Sequence, residues 1–180
     1  MKKLSVITFG NPVLRDTSRP VTVFHKKNHA LIDNMKHTLV TRGDGAALAA
    51  PQVAELKRIT VINFMDEYFE MVNPEIISSA GENTDWEGCL SFPGFSGRVK
   101  RAETVKVKYQ DRNGNEKTIE RSGRMARCIQ HEIDHLDGIL FIDRMDEKFV
   151  YNDEDNTKVA VKEILKIAPR KNPNTDCQRH

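Results

Sequence analysis

The stretch from Gly123 to Leu136 constrains this chain more than any other. Met125, Ile129, Ile133 and Leu136 recur at helical spacing, so the segment predicts a helix with one face packed into a core. The same helix carries Gln130-His131-Glu132-Ile133-Asp134-His135. His131 and His135 stand just over one helical turn apart, which projects both imidazoles from one face. Two imidazoles so placed can hold one transition-metal ion, and Glu132, at the edge of that face, is close enough to act on a metal-bound water. The plainer alternative is a coincidental His-x-x-x-His with Glu132 a solvated carboxylate.

At 180 residues the chain is expected to form one domain over residues 1–168, with a polar Pro/Asn-rich tail over 169–180 in which Cys177 and His180 are inert. Hydrophobic residues make up 38% and charged residues 30%, with a net charge of +2 from mixed signs. That balance gives no support to nucleic-acid or membrane binding. No apolar run approaches a membrane span, and the Met1-Lys2-Lys3 start lacks the core of a secretion signal or an import leader. Three cysteines, Cys89, Cys128 and Cys177, have no paired spacing, so a disulfide framework is not expected. A cytoplasmic protein fits this usage, and a thiolate metal ligand is an open alternative for one of the three.

Residues 4–23 read as an extended arm, β-like over Ser5–Phe9 and turning at Gly10-Asn11-Pro12. A helix follows from about Asn28, as its N-cap, to Arg42, with Ile32, Met35 and Leu39 on one face. His25, His29 and His37 fall in this polar stretch and read as surface residues. Small residues dominate Gly43 to Gln52, so the backbone there can approach a ligand or simply pack tightly. Arg58–Asn63 and Tyr68–Val72 predict a hairpin around Met65-Asp66-Glu67, stopped at Asn73-Pro74, with another short strand over Glu75–Ser78. Val105–Tyr109 and Thr118–Glu120 flank Asn113-Gly114, the strongest short hairpin signal in the chain. Beyond the histidine helix, Ile139–Ile142 is strand-like, and a last helix is expected near Thr157–Ala168 with Asn156 as cap. Antiparallel strands with a few helices give an α+β fold, its sheets around the metal-bearing helix and a helix at the C-terminal end.

A catalytic zinc-type site needs three protein ligands and an open position. His131 and His135 supply two. Among candidates for the third, Cys89 stands out in Trp86-Glu87-Gly88-Cys89-Leu90-Ser91-Phe92-Pro93-Gly94, where Gly88 would let the backbone come near the site. An inert buried thiol is the other reading of such a cysteine.

Three motifs together resemble those of the peptide deformylase family. They are Gly45-Ala46-Ala47-Leu48-Ala49-Ala50-Pro51-Gln52, Glu87-Gly88-Cys89-Leu90-Ser91 and Gln130 through His135, in the family's order and approximate spacing. The likeness spans about residues 4–145. It implies removal of the formyl group from the N-terminal methionine of new polypeptides, with one divalent ion held by Cys89, His131 and His135. The ion implied is Fe2+, with Zn2+, Ni2+ or Co2+ able to substitute. The implied partners are N-formylmethionyl peptides, as nascent chains at the ribosome, met by a monomer that needs neither nucleic acid nor membrane. By the same resemblance Gly45, Ala46, Ala47, Gly88, Arg127 and Cys128 contact substrate, and Glu87 with Arg101 braces the cysteine loop, an ordinary surface ion pair being the alternative.

The residue chemistry suits that task. A bound ion lowers the pKa of its water, Glu132 takes the proton and passes it to the leaving amine, and the Leu90 N–H with the Gln52 amide steadies the developing oxyanion. Two positions depart from the family pattern. Ala47 stands where a second glycine is usual, and if that position requires φ > 0 it costs about 1 kcal/mol. Arg124 and Arg127 occupy a stretch that is mostly apolar in the family and lines the methionine pocket. Either the stem of Arg127 covers the pocket with its charge in solvent, or the pocket takes a more polar side chain, in which case Arg127→Ile would raise the preference for formyl-Met. Two other classes are compatible with the helix alone: a peptidase with its third ligand downstream of His135, and a non-catalytic metal-binding protein.

Overall fold

The structure, a computed structural model, describes residues 1–167. The expected tail over 169–180, with Cys177 and His180, lies outside the described residues, as does Ala168, the expected end of the last helix. In chain order the elements are α1 (Lys26–Arg42), β1 (Ala47–Ala49), β2 (Ile59–Phe64), β3 (Glu67–Ala80), β4 (Asn83–Cys89), β5 (Phe92–Arg101), β6 (Thr104–Gln110), β7 (Glu116–Ser122), α2 (Gly123–Leu136), β8 (Phe149–Asn152), β9 (Lys158–Ala160) and α3 (Val161–Ile167). They form an α+β fold with two antiparallel sheets, ordered β1-β2-β3-β6-β7 and β4-β5-β8-β9. Among the described residues no helix is long and apolar enough to cross a membrane.

The N-terminal arm is extended but joins neither sheet. Its Ile7 N–H donates to Gln52 O (2.8 Å) and its Phe9 N–H to Ser91 O (2.7 Å). One arm thus straps together two segments that are far apart in sequence.

α1 starts two residues before the expected Asn28, with His25 as N-cap. Asn28 sits buried in the first turn and donates through Nδ2 to Val23 O (2.8 Å). The helix ends where Gly43 adopts φ 73°, a left-handed conformation that glycine takes without a Cβ penalty. Leu31, Ile32, Met35 and Leu39 pack on Ile59, Val61 and Val72 of the larger sheet.

The first hairpin turns on Met65-Asp66 alone, at φ 54° and 62°, and Glu67 already belongs to the strand. Two consecutive left-handed residues match the twist of the flanking strands. The expected stop at Asn73-Pro74 is instead a bulge within one long β3. Asn73, at φ 51°, accepts at Oδ1 from Val21 N–H and donates through Nδ2 to Val21 O, both 2.8 Å. Side-chain bonds to the arm replace the ladder there, so Pro74 removes no donor that the sheet needs. The Asn113-Gly114 hairpin and the bounds of α2 match the sequence reading.

After α2 the expected strand over Ile139–Ile142 is a buried connection ending in a short 3-10 turn, Phe141–Asp143. The carboxylate of Asp143 caps that turn by accepting the Leu140 N–H (2.8 Å). The last helix begins at Val161 rather than near Thr157. Asn156, at φ 58°, lies in the tight turn between β8 and β9, and Lys158–Ala160 pair with Phe149–Tyr151. Val150 and Ile164 close a separate cluster with Leu14, Val99, Leu140 and Phe141.

One face of α2 packs Met125, Ala126, Ile129 and Ile133 against Ile62, Met71, Val105 and Val107 of the larger sheet. Gln130 pins the helix laterally: its Oε1 accepts from Ala102 N–H (3.1 Å) and its Nε2 donates to Ala102 O (2.9 Å). The rotation of α2 is thereby fixed, and with it the direction of its histidines.

Candidate active site

Three donors converge. The Cys89 Sγ, at the end of β4, is 3.3 Å from His135 Nε2, and the ligand atoms of Cys89, His131 and His135 all lie within 4.8 Å of one another. Nδ1 of His131 is bound by Glu87 Oε2 at 2.9 Å, which leaves Nε2 as its ligand atom. The imidazole of His131 also stacks on Phe141, at 6.3 Å and 22°. One thiol sulfur and two imidazole nitrogens make a borderline-soft set that suits first-row divalent ions such as Fe2+, Co2+, Ni2+ and Zn2+. The third ligand is therefore upstream, and no residue after His135 joins the cluster among the described residues.

The cluster lies at the floor of a cleft of about 520 Å³ bordered by Cys89, His131 and Glu132. Gly45, Ala46, Ala47 and Gln52 line one side, and Glu87, Gly88 and Leu90 another. Cys128, Arg124 and Arg127 border it along α2. Both walls are sheet edges, since β1 ends one sheet order and β4 ends the other.

Gly45 is glycine for a local reason: a Cβ there would come within 2.7 Å of the Leu90 side chain. Gly88 has no such constraint, because the nearest atom to a Cβ would be Phe95 O at 3.8 Å. Ala47 is a buried residue of β1 packed beside Ile62 and Met125, and it is not among the residues with positive φ. The cost expected for it does not arise.

Gln52 is anchored at one end and poised at the other. Its Oε1 accepts from Ala49 N–H (2.8 Å), while its Nε2 donates to Ser91 Oγ (3.2 Å) and contacts Cys89 Sγ (3.5 Å). Glu132 is 4% exposed, and its Oε2 has no hydrogen-bond partner among the described residues. Burial pushes its carboxyl up to about 7. His135 Nδ1 is likewise buried without a partner.

Behind the ligands lies a network of buried charges. Arg101 grips Glu87 with two bonds of 2.9 Å, Nε to Oε1 and Nη2 to Oε2, so this is no surface pair. Burial alone would raise the Glu87 carboxyl, but the bonds from Arg101 and His131 outweigh it and hold it far below the usual carboxylate range. Burial would also lower His131, yet Cys89 and Glu87 outweigh it and draw that imidazole up. Burial, with the charges of His131 and Arg101, pushes His135 down. The Cys128 thiol is pushed well up by burial, so that side chain is an uncharged wall.

The Arg127 charge is not in solvent: the residue is 8% exposed and its guanidinium bonds Glu87 Oε1 (2.8 Å), Val99 O (2.7 Å) and Asn83 O (2.9 Å). Arg124 is exposed, with its guanidinium 5.3 Å from the Phe64 ring centre. His25 is exposed as expected, whereas His29 and His37 are half-buried, His29 Nε2 lying 2.8 Å from Arg112 O. Two residues around the ligands carry no expectation from the sequence: Phe141, and Asp134, which binds Arg101 and Arg144. Asp134 stands inside the histidine motif three residues after His131, and that spacing was its available signal.

Three ligands around a position open to a cleft, beside a buried carboxylate, define a metal-dependent hydrolase site rather than a closed structural one. A sequence model of the polypeptide deformylase family matches residues 3–149. The peptide deformylase of Heliobacterium modesticaldum is 47% identical over 146 residues, 81% of this chain and 96% of that protein. That of Halothermothrix orenii is 48% identical over 147 residues, 81% of this chain and 95% of that one. The crystal structure of peptide deformylase from Thermotoga maritima superposes with a TM-score of 0.79 at 38% identity, over 82% of this chain and all of that one (100%). A Synechococcus elongatus peptide deformylase in complex with actinonin gives 0.80 at 34% identity, over 92% and 86%. The chain belongs to the polypeptide deformylase family.

Proposed function

We propose that this cleft removes the N-formyl group from the N-terminal methionine of nascent polypeptides and releases formate, with Glu132 moving the protons. The observation that carries the reading is the buried, unpartnered carboxylate oxygen of Glu132 beside three converging metal donors at the floor of an open cleft. When bound by Cys89, His131 and His135, a divalent ion supplies Lewis acidity, which makes water nucleophilic near neutral pH and withdraws charge from a carbonyl.

The chain's own residues supply the rest. Glu132 accepts a proton from the attacking water and delivers it to the amine that departs, serving as base and then acid. Gln52 Nε2, held in place by the bond at its other end, and the Leu90 N–H donate to the oxygen on which charge develops. The segment from Gly45 into the first residue of β1, Ala47, and the edge of β4 at Gly88 receive the peptide backbone as an added strand. Cys128 and the stem of Arg127 face the methionine side chain, and Glu87 with Arg101 braces the cysteine segment.

Fe2+ is the ion we assign in the cell, with Zn2+, Ni2+ or Co2+ able to take the same ligands. Cys89 and Cys128 are unpaired, which supports a reducing, cytoplasmic setting where nascent chains emerge from the ribosome.

Formate release from formyl-Met-Ala-Ser by anaerobically prepared Fe2+ protein tests this, with acetyl-Met-Ala-Ser and Cys89→Ser alongside. Release from the formyl peptide alone, and loss of both metal and activity in Cys89→Ser, is the expected result. A Cys89→Ser protein that keeps its metal and cleaves internal peptide bonds would instead point to a peptidase.

A further inference from the structure

We propose that Arg127 is a positioning residue of the metal centre: its guanidinium ties the helix that carries His131 and His135 to Asn83 and Glu87 of the strand that carries Cys89, and so holds the Glu87 carboxylate that orients His131. The role deepens the metal-site reading above and rests on it for the identity of the ligands.

The site draws its ligands from two elements, His131 and His135 from α2 and Cys89 from β4, so it is only as well formed as the spacing between helix and strand. Arg127 stands on α2 one turn before His131, with its side chain 9% exposed. Nη1 donates to Glu87 Oε1 (2.8 Å) and Val99 O (2.7 Å), and Nη2 to Asn83 O (2.9 Å) and Asn83 Oδ1 (3.3 Å). A longer contact, 3.4 Å, reaches Asp85 O. One planar fork thus spans β4 from its first residue to two residues short of Cys89, and also reaches β5.

The Glu87 carboxylate is where the fork meets the metal site. Oε1 accepts from Arg101 Nε and Arg127 Nη1, while Oε2 accepts from Arg101 Nη2 and pairs with His131 Nδ1. Arg101 comes from β5, in the same sheet as Glu87, and it reaches α2 at Asp134, the far side of His131 from Arg127. With Arg127 gone, the helix would be held to this sheet on one side of His131 only, and His131 could tilt with its carboxylate. Groups that orient a histidine ligand typically change metal affinity by about 10–100-fold when removed. The stem of Arg127 borders the cleft, and the rival role for its guanidinium is a direct contact with substrate there. Against it, every acceptor that the guanidinium reaches lies in β4 or β5.

The test follows transfer of Zn2+ from the Zn2+-loaded protein to excess 4-(2-pyridylazo)resorcinol, in wild type, Arg127→Met, Arg127→Lys, Glu87→Gln and the Arg127→Met/Glu87→Gln double variant. Arg127→Met keeps the stem and deletes the fork. Zn2+ release should accelerate about 10–100-fold in Arg127→Met and less in Arg127→Lys. In the Glu87→Gln background the further effect of Arg127→Met should be small, because both act on one ligand. With formyl-Met-Ala-Ser, kcat should fall while KM stays within about twofold. Unchanged Zn2+ release with a raised KM, or an undiminished effect in the Glu87→Gln background, overturns the proposal. Should Arg127→Met not fold, Arg127→Lys decides alone: a lysine cannot fork, so wild-type Zn2+ release in it also overturns the proposal. Zn2+ release does not depend on the substrate, so a failed formate assay with these release rates would overturn the deformylation reading and leave the positioning role standing.

Discussion

The two long helices pack on the same sheet and share an apolar stripe, yet they bury very different residues. In α1 the buried set is Leu31, Ile32, Met35 and Leu39 with two polar residues, Asn28 and Thr38. In α2 nearly the whole circumference is buried, and the set includes Arg127, Gln130, His131, Glu132, Asp134 and His135. A buried polar group is costly unless it is bonded, and a buried charge more so. α2 meets that condition with Glu87, Arg101, Ala102, Val99 and Arg144 as partners. Asn28 leaves one amide oxygen unpartnered on α1, but on α2 the unpartnered atoms belong to ionisable groups, Glu132 and His135, at the metal donors. Stability accounts for α1. In α2 only function accounts for charges kept where an apolar residue would pack at lower cost.

The sharpest way to break this contrast is to damage α1. Met35 is fully buried (0% exposed), so Met35→Ala should destabilise the protein by about 2–5 kcal/mol in urea unfolding, with kcat of the folded enzyme unchanged. A fall in kcat would show that α1 also shapes the site. Next in size is Gln52→Ala, on the cleft side. Loss of an oxyanion donor raises the barrier by about 2.7–4 kcal/mol, so kcat of the folded enzyme should drop about 10²–10³-fold, while the buried Ala49 N–H left unpaired costs about 1–3 kcal/mol of stability.

The smallest effect is expected at the solvent edge of α1, where Glu70 accepts from Tyr68 (2.7 Å) and Arg112 (2.6 Å), and Arg112 also bonds Asp33 of α1 (2.8 Å). Burial would raise the Glu70 carboxyl, but Arg112 and Tyr68 outweigh it and hold it below the ordinary 4.5. A depressed folded-state pKa stabilises the protein above the unfolded value, and that contribution fades as pH falls through the folded value. Glu70→Gln should therefore lower the melting temperature by a few degrees at pH 7, with the gap to wild type closing below pH 4.5. A gap that stays constant with pH would mean that the charge contributes nothing.

How much of this was legible in the sequence follows the range of the interactions. The bounds of α2 and the Asn113-Gly114 hairpin rest on signals within a few residues, and both were readable. The metal site was readable because two ligands share a turn and the third lies in a compact motif. The bulge at Asn73 was not, since its conformation depends on Val21, 52 residues away. Ile139–Ile142 is an apolar run whose burial says nothing about its backbone, and the pairing of β8 with β5 is equally non-local. Arg127 shows the same limit at the site itself: its acceptors lie 28, 40 and 44 residues upstream, so spacing alone placed its stem but not its charge.

The most direct test of the contrast is Glu132→Gln, compared with wild type for metal content, thermal unfolding and formate release from formyl-Met-Ala-Ser in the same preparations. The account predicts a folded protein with a full metal load and a kcat reduced by about 10²–10⁴-fold, because the proton carrier alone is gone. A fully loaded variant that releases formate at the wild-type rate would contradict it and leave the buried carboxylate of α2 without a function.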